Sequence, residues 1–373
     1  MAAPDPLPLA RALIACASVT PADDGAQSVL AAELERLGFT VAHLPFGATK
    51  NLFARLGAGR PHFCFAGHTD VVPPGSAWRH DPFAGEIADG VLYGRGACDM
   101  KGAIAAFIAA AEIVLADAPP RGSISLLITG DEEGAATDGT VRVLPWMQQH
   151  DAIPDFCLVG EPTNPSALGE TIKLGRRGSL NAAITVHGTQ GHVAYPHRAD
   201  NPVHRLVAAL AELTATRLDD GTEWFEPSAL QITSIDVGNP ANNVIPASAA
   251  ARVNIRFNNL HTGAGLQAWL HEVLSRHAEK FDCSVAISGE AFLTQPGEFS
   301  EALAASVQAI TGRVAKFDTG GGTSDARFIA RYCPVAEFGL INATIHKVDE
   351  CVAVADLHQL AAIYADLLRR IVA

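Results

Sequence analysis

The sequence predicts an α/β protein whose core domain is interrupted by an α+β insert, and three observations carry that expectation. From Pro8 to about Gly169 helical periodicity alternates with short β-rich runs, the order of a layered βα core around a largely parallel sheet. Over residues 180–291 the texture changes to βαββαβ, the split-βαβ pattern of a compact two-layer, ferredoxin-like unit. Alternation then resumes to the end of the chain. At 373 residues the chain exceeds one ordinary domain. The expected division is a discontinuous core of residues 1–177 and 291–373 around an insert of residues 178–290, with hinges near 177 and 291.

In chain order, the first half offers the strands HFCFAG, SISLLITG and FCLVG, and an Ala-rich helix from Ala103 to Ala116. That apolar run is too short to span a bilayer and carries Glu112. The insert reads as strand LNAAITVHG and a helix over 201–219, with Val203, Val207, Leu210 and Leu213 on one stripe. Strands LQITSIDVG and AARVNIRFN, a helix over 263–279 and strand CSVAIS complete it. A helix over 300–311, strand VAKFDT, the turn GGGTSD, strand CPVAEFG and a helix from Ala355 to Ile371 finish the core.

Nearly half the residues are apolar, enough for a substantial core. A net charge of -13 without any Lys/Arg-rich run argues against nucleic acid or an anionic membrane as partner. An anionic substrate would need local arginines. The seven cysteines (16, 64, 98, 157, 283, 333 and 351) are scattered singly with no CxxC pair, which reads as reduced thiols serving as small buried hydrophobes. The segment MAAPDPLPLARALIACASV lacks a basic start and contains Asp5, so it is not read as a secretory signal. A cytoplasmic location is the expectation.

Six carboxylates and imidazoles fall where an expected strand or tight turn ends: His68, Asp99, Glu132, Glu133, Glu161 and His346. Two residues past His68 stands Asp70, on the same strand face and placed to orient the imidazole through its other N–H. Asp99 precedes a helix, where a carboxylate serves equally as a cap or as a ligand. Number favours the ligand, since two neighbouring metal ions need a bridging oxygen donor. Adjacent residues diverge, so Glu133 is assigned as a ligand and Glu132 as a general base toward water. The set suits two divalent ions, Zn²⁺ first and Co²⁺ or Mn²⁺ as substitutes. With three carboxylate charges against two dications, it is suited to ionising water near neutral pH.

At these residues the chain resembles the M20 family of dinuclear zinc aminoacylases and exopeptidases. GHTDVVPPG, LYGRGACDMKG, TGDEEG, GEPT, KLGRRGSL, GTQGHVAYP, NNVIPA, RFN, GGGTSDARFI and the late histidine occur in the family's order, nearly end to end. The resemblance implies a zinc aminopeptidase-like three-layer core, an inserted dimerisation domain, a homodimer and two Zn²⁺ per subunit. It implies His68 and Glu161 on one ion, Glu133 and His346 on the other, Asp99 as bridge, Glu132 as base and Asp70 as orienter. His192 matches the histidine that reaches the partner subunit's site and stabilises the oxyanion. The implied substrate is a small N-acyl amino acid.

Within the family the chain looks most like a subclass whose substrate carries three carboxylates. Arg176 and Arg256 fall where that subclass binds carboxylates, and Tyr195, Asn242 and Thr323 match its other substrate contacts. Arg177 is read instead as a surface salt bridge, and Cys98, beside the bridging position, is the one departure, most simply a buried inert thiol. His43, His150, His271 and His277 are read as solvated, without partners. A sister deacylase with the same metal shell, or a binding protein descended from the enzyme, are the competing readings.

Overall fold

The computed structural model of the protein describes residues 4–372. They form two compact units. The first runs to Leu174 and takes up again over Thr294–Asp318 and from Ser324 onward, and the second comprises Gly175–Leu293 with Thr319–Thr323.

The first unit is built on an eight-stranded sheet. The run HFCFAGH has every residue buried, as a strand must that is covered on both faces. It pairs in parallel with Ser123–Thr129 on one side and Phe156–Val159 on the other. Beyond Phe156–Val159 lie Val335–Glu337, Thr171–Lys173 and Lys316–Asp318. On the other side come Leu52–Leu56 and Thr40–His43.

The sheet is mixed rather than largely parallel. Of its seven pairings four are parallel and three antiparallel. Thr40–His43 and Leu52–Leu56 are joined by a short turn, closed by mutual 3.0 Å hydrogen bonds between Phe46 and Thr49. A connection that short cannot make the crossover a parallel pair needs.

Helix Gly102–Asp117 is buried throughout Gly102–Ala111, as a helix apolar on all sides requires. It packs along Val354–Val372, with Phe107 stacked on Phe65 at 4.3 Å. Tyr364 meets both rings edge-on at 5.8 and 5.9 Å and donates its hydroxyl to Phe338 O at 2.6 Å. Among the described residues no helix is long and apolar enough to cross a membrane.

In the second unit, Gly178–His187, Ala229–Asp236, Ser248–Phe257 and Phe281–Gly289 form one antiparallel sheet. Taken as first to fourth in sequence, they stand in the order second, third, first, fourth, the ferredoxin-like arrangement of a βαββαβ chain. Helices Pro202–Ala215 and Gly263–His277 are capped by the side chains of Asn201 and Thr262, which accept N–H bonds at 3.0 and 3.1 Å. Leu206, Leu210, Leu213, Leu270 and Leu274 pack with Leu180, Ile184, Val253, Ile255 and Phe257.

The first of these helices is turned relative to expectation. Val207 is 54% exposed, and Leu206 and Ala209 take the inward positions with Leu210 and Leu213. The apolar stripe therefore runs 206, 209, 210, 213, a complete helical face. The helix also stops at Ala215, because Thr216 turns to extended backbone.

Candidate metal centre

Three neighbouring parallel strands deliver ligand-type residues at their carboxyl ends, where open α/β sheets hold their ligands. His68 ends its strand, Glu132 and Glu133 follow Thr129 after a two-residue turn, and Glu161 follows Val159 by two. Asp99 comes from the turn before helix Gly102–Asp117, and His346 from a loop where its φ is 58°.

These six side chains converge. His68 Nε2 is 3.2 Å from Asp99 Oδ1 and 3.6 Å from Glu161 Oε1. His346 Nε2 is 3.2 Å from Asp99 Oδ2 and 2.8 Å from Glu133 Oε1. Donor atoms of His68, Asp99 and Glu161 all lie within 4.8 Å of one another, as do those of Asp99, Glu133 and His346. A third grouping joins His68, Glu132 and Glu133. Asp99 belongs to two triads and turns a different oxygen to each histidine, the geometry a bridging carboxylate needs. The mixed imidazole and carboxylate donors fit a pair of borderline divalent cations.

The cap reading of Asp99 fails in the fold. The helix is entered at Lys101 without any side-chain cap bond, and Asp99 has φ −126° and ψ 90°. Asp70 also differs from expectation. The strand ends at His68, so alternation is lost, and His68 Nδ1 meets the backbone carbonyl of Asp70 at 2.9 Å while the carboxylate stands 3.6 Å away. That carboxylate instead accepts the N–H groups of Glu132 and Glu133 at 3.3 and 3.1 Å. Asp70 thus orients the ring through its backbone and the two glutamates through its side chain.

The electrostatics are those of a site assembled to hold positive charge. Burial opposes charge on His68, but the hydrogen bond and charge of Asp99 raise its pKa well above the ordinary value. His346 is raised to about 10 by its bonds to Asp99 and Glu133. Burial alone would raise Asp99; the bonds from His346 and His68 bring it well below the usual range. Glu161 is pushed well up by burial and by the charges of Asp99 and Glu132. Burial raises Glu132 to about 8, against the opposing pull of His68.

Motif reading passed over Arg95 and Glu350. They form a buried ion pair at 2.7 Å, and Glu350 accepts the N–H of Asp99 at 3.1 Å. Glu350 stands four residues after His346 in HKVDE, and that spacing was the only local signal. Cys98 is buried, its thiol pushed well up by burial, and all seven cysteines are free.

The remaining expected site residues belong to the second unit. A ribbon pairs Gly191–His192 with Val244–Ile245; Tyr195 follows its first strand by three residues and Asn242 precedes its second by two. The His192 and Tyr195 rings are 5.8 Å apart, and Tyr195 and Asn242 are exposed. Arg176 is buried and its Nη1 donates to Gly320 O and Gly322 O at 3.4 and 3.0 Å, which ties down the loop carrying Thr323. Arg256 is half-buried on strand Ser248–Phe257. Arg177 does pair at the surface, 3.6 Å from Glu226.

The other histidines are less solitary than expected. His277 bonds Glu212 at 2.6 Å, His150 stacks on Trp146 at 4.1 Å, and His271 lies 5.7 Å from the Phe281 ring. His43 ends a strand and is exposed. Sequence spacing did not reveal these partners because all but Trp146 come from other elements.

Comparison with known proteins places this geometry. The family model described as Peptidase family M20/M25/M40 matches residues 64–370. The chain is 62% identical over 364 residues to succinyl-diaminopimelate desuccinylase of Gluconobacter oxydans, covering 96% of each protein. It is 64% identical over 371 residues to the protein so named in Gluconacetobacter diazotrophicus, covering 98% of this chain and 96% of that one. Among solved structures it is similar to aminopeptidase PepT from Bacillus cereus, with TM-score 0.80 at 19% identity over 98% of this chain and 97% of that one. It is also similar to the Bacillus subtilis YXEP protein, described as a dinuclear metal binding peptidase, with TM-score 0.72 at 16% identity over 97% and 96%. These structural likenesses carry the fold, a zinc aminopeptidase-like α/β core with an inserted unit. The chain belongs to peptidase family M20/M25/M40, whose members are metal-dependent hydrolases.

Proposed function

We propose that this chain hydrolyses N-succinyl-LL-2,6-diaminopimelate to succinate and LL-2,6-diaminopimelate, a step in lysine and cell-wall precursor synthesis, as a cytoplasmic homodimer with two Zn²⁺ per subunit. Co²⁺ or Mn²⁺ would substitute. The observation that carries the chemistry is the pair of ligand triads sharing Asp99. The name shared by relatives above 60% identity supports the substrate.

His68, Asp99 and Glu161 would hold one ion and Asp99, Glu133 and His346 the other. When bound, the ions polarise the scissile carbonyl and lower the pKa of water toward neutrality. Glu132 lies outside both bridged triads, and its carboxylate takes the proton of the attacking water and hands it to the leaving amine. His192 Nδ1 accepts the N–H of Ala194 at 3.1 Å, so the ring proton sits on Nε2. That N–H is the donor an oxyanion requires.

The dimer reading is supported by the span of one strand. Arg176 and Arg256 stand at the Gly178 end of Gly178–His187, while the ribbon of His192, Tyr195 and Asn242 continues from the His187 end. Nine steps of strand cover roughly 30 Å, more than one small substrate bridges. The two groups serve one site if His192, Tyr195 and Asn242 act in the partner subunit. Arg176, Arg256 and Thr323 would receive the substrate carboxylates, since a guanidinium fork pairs with a carboxylate in bidentate fashion.

The test is hydrolysis of N-succinyl-LL-diaminopimelate by zinc-reconstituted protein, beside N-acetylornithine and a chelated control. The expected result is strong preference for the succinyl substrate, abolished by chelation. Turnover of the acetyl substrate alone would keep the metal chemistry and overturn the carboxylate assignment; inactivity on both would overturn the substrate reading.

A further inference from the structure

The turn that presents Asp99 and the loop that presents His346 are held by one buried ion pair. Arg95 is 2% exposed and Glu350 is wholly buried, with Nη1 and Oε2 at 2.7 Å. Glu350 Oε1 accepts the backbone N–H groups of Cys98 and Asp99 at 2.9 and 3.1 Å, and Oε2 accepts that of Gly96 at 3.1 Å. A carboxylate has about four acceptor sites, and these four donors fill them. Three N–H groups of one turn thus converge on one anion, the arrangement of a backbone nest.

The other end of the pair reaches the remaining loops. Arg95 Nη2 points to His346 O at 3.5 Å and to Pro74 O at 3.4 Å, and the guanidinium lies 5.2 Å from the Trp78 ring centre. The loop bearing both His346 and Glu350 is closed by Thr344 Oγ1, which donates to Cys351 O at 3.0 Å and accepts from Cys351 N at 3.1 Å. Glu350 therefore cannot move without carrying His346, and the Asp99 turn cannot reshape without leaving three buried N–H groups unpaired.

We propose that Arg95 and Glu350 are positioning residues that set the Asp99 carboxylate and the His346 imidazole as ligands of the same ion. The proposal rests on the ligand assignment above. It reaches further because neither residue belongs to a ligand triad. His68 and Glu161 leave the ends of core strands and do not depend on the pair, so its loss acts first on the ion held by Glu133 and His346.

The experiment titrates metal-free protein with Zn²⁺ by calorimetry, comparing wild type with Glu350→Gln and Arg95→Lys, and records the melting temperature of each metal-free form. Wild type is expected to take two equivalents. In each variant one equivalent is expected to weaken roughly 10–100-fold, the usual effect of losing a supporting partner, while the other moves less. Arg95→Lys keeps the charge and loses the fork, so it carries the test where Glu350→Gln does not fold. Variants that melt lower yet bind both equivalents as wild type does would overturn the positioning role and leave a purely structural pair. A wild type that takes fewer than two equivalents would overturn the ligand assignment itself, and the proposal with it.

Discussion

His346 and Asp99 stand 3.2 Å apart, Nε2 to Oδ2, although the loop of one and the turn of the other lie far apart in the chain. Without ions this contact, with the 2.8 Å bond to Glu133, holds the imidazole protonated up to about pH 10. A metal ligand must be neutral, so uptake of ions near pH 7 is expected to release protons, and affinity to rise with pH. Calorimetry in buffers of different ionisation enthalpy counts those protons. A count of zero would contradict the paired histidines.

The same shift governs the stability of the metal-free protein. A folded-state pKa of about 10 lies above the ordinary 6.5, so the stabilisation is complete below about pH 6.5 and is lost as pH climbs through 10. The melting temperature of the metal-free form is expected to fall across that window. The loaded form, whose imidazole is already neutral, should not show that decline. Parallel curves for the two forms would show that His346 does not supply the effect.

Replacing Glu132 with Gln removes the proton acceptor and keeps the side chain's shape. Turnover is expected to fall by at least the 10²–10⁴-fold typical of lost general acid–base catalysis, with both metal equivalents retained. Loss of metal instead would reverse the roles of Glu132 and Glu133.

Gly160 precedes Glu161 at a close approach of two side chains. A Cβ there would stand 2.5 Å from Phe65 Cζ and 2.8 Å from Met100 Cε. Gly160→Ala is expected to destabilise the fold by about 1–3 kcal/mol and to displace Glu161, weakening metal binding. Differential scanning calorimetry and zinc titration check both; unchanged melting and binding would mean that the ring and thioether move aside freely.

Two inert variants should restore each other if His192 serves the neighbouring subunit. After verified subunit exchange, His192→Ala mixed with Glu132→Gln is expected to recover part of the wild-type rate, because one hybrid site is intact. Continued inactivity would exclude a shared site.

His68 and Glu161 were the most legible residues of the metal centre because each stands directly after an apolar run. HFCFAG before His68 and FCLVG before Glu161 both announce a buried strand and the polar group at its end. The βαββαβ order of the insert was legible for the same reason, since periodicity is a local property. Other features have no such signal. The antiparallel edge of the core sheet, the outward turn of Val207 and the use of Asp70's carboxylate on the two glutamates each depend on what lies opposite.

By itself the sequence determined which side chains could bind metal and roughly where each element begins, because apolar spacing and turn chemistry act over a few residues. Only the tertiary structure decided that Asp99 turns one oxygen to His68 and the other to His346. It also decided that Arg95 and Glu350, charged residues in a chain whose charges mostly face water, are buried together beneath that turn. Such burial is tolerable only when the opposite charges pair and the carboxylate is hydrogen-bonded, and those partners are brought together by folding, not by order along the chain.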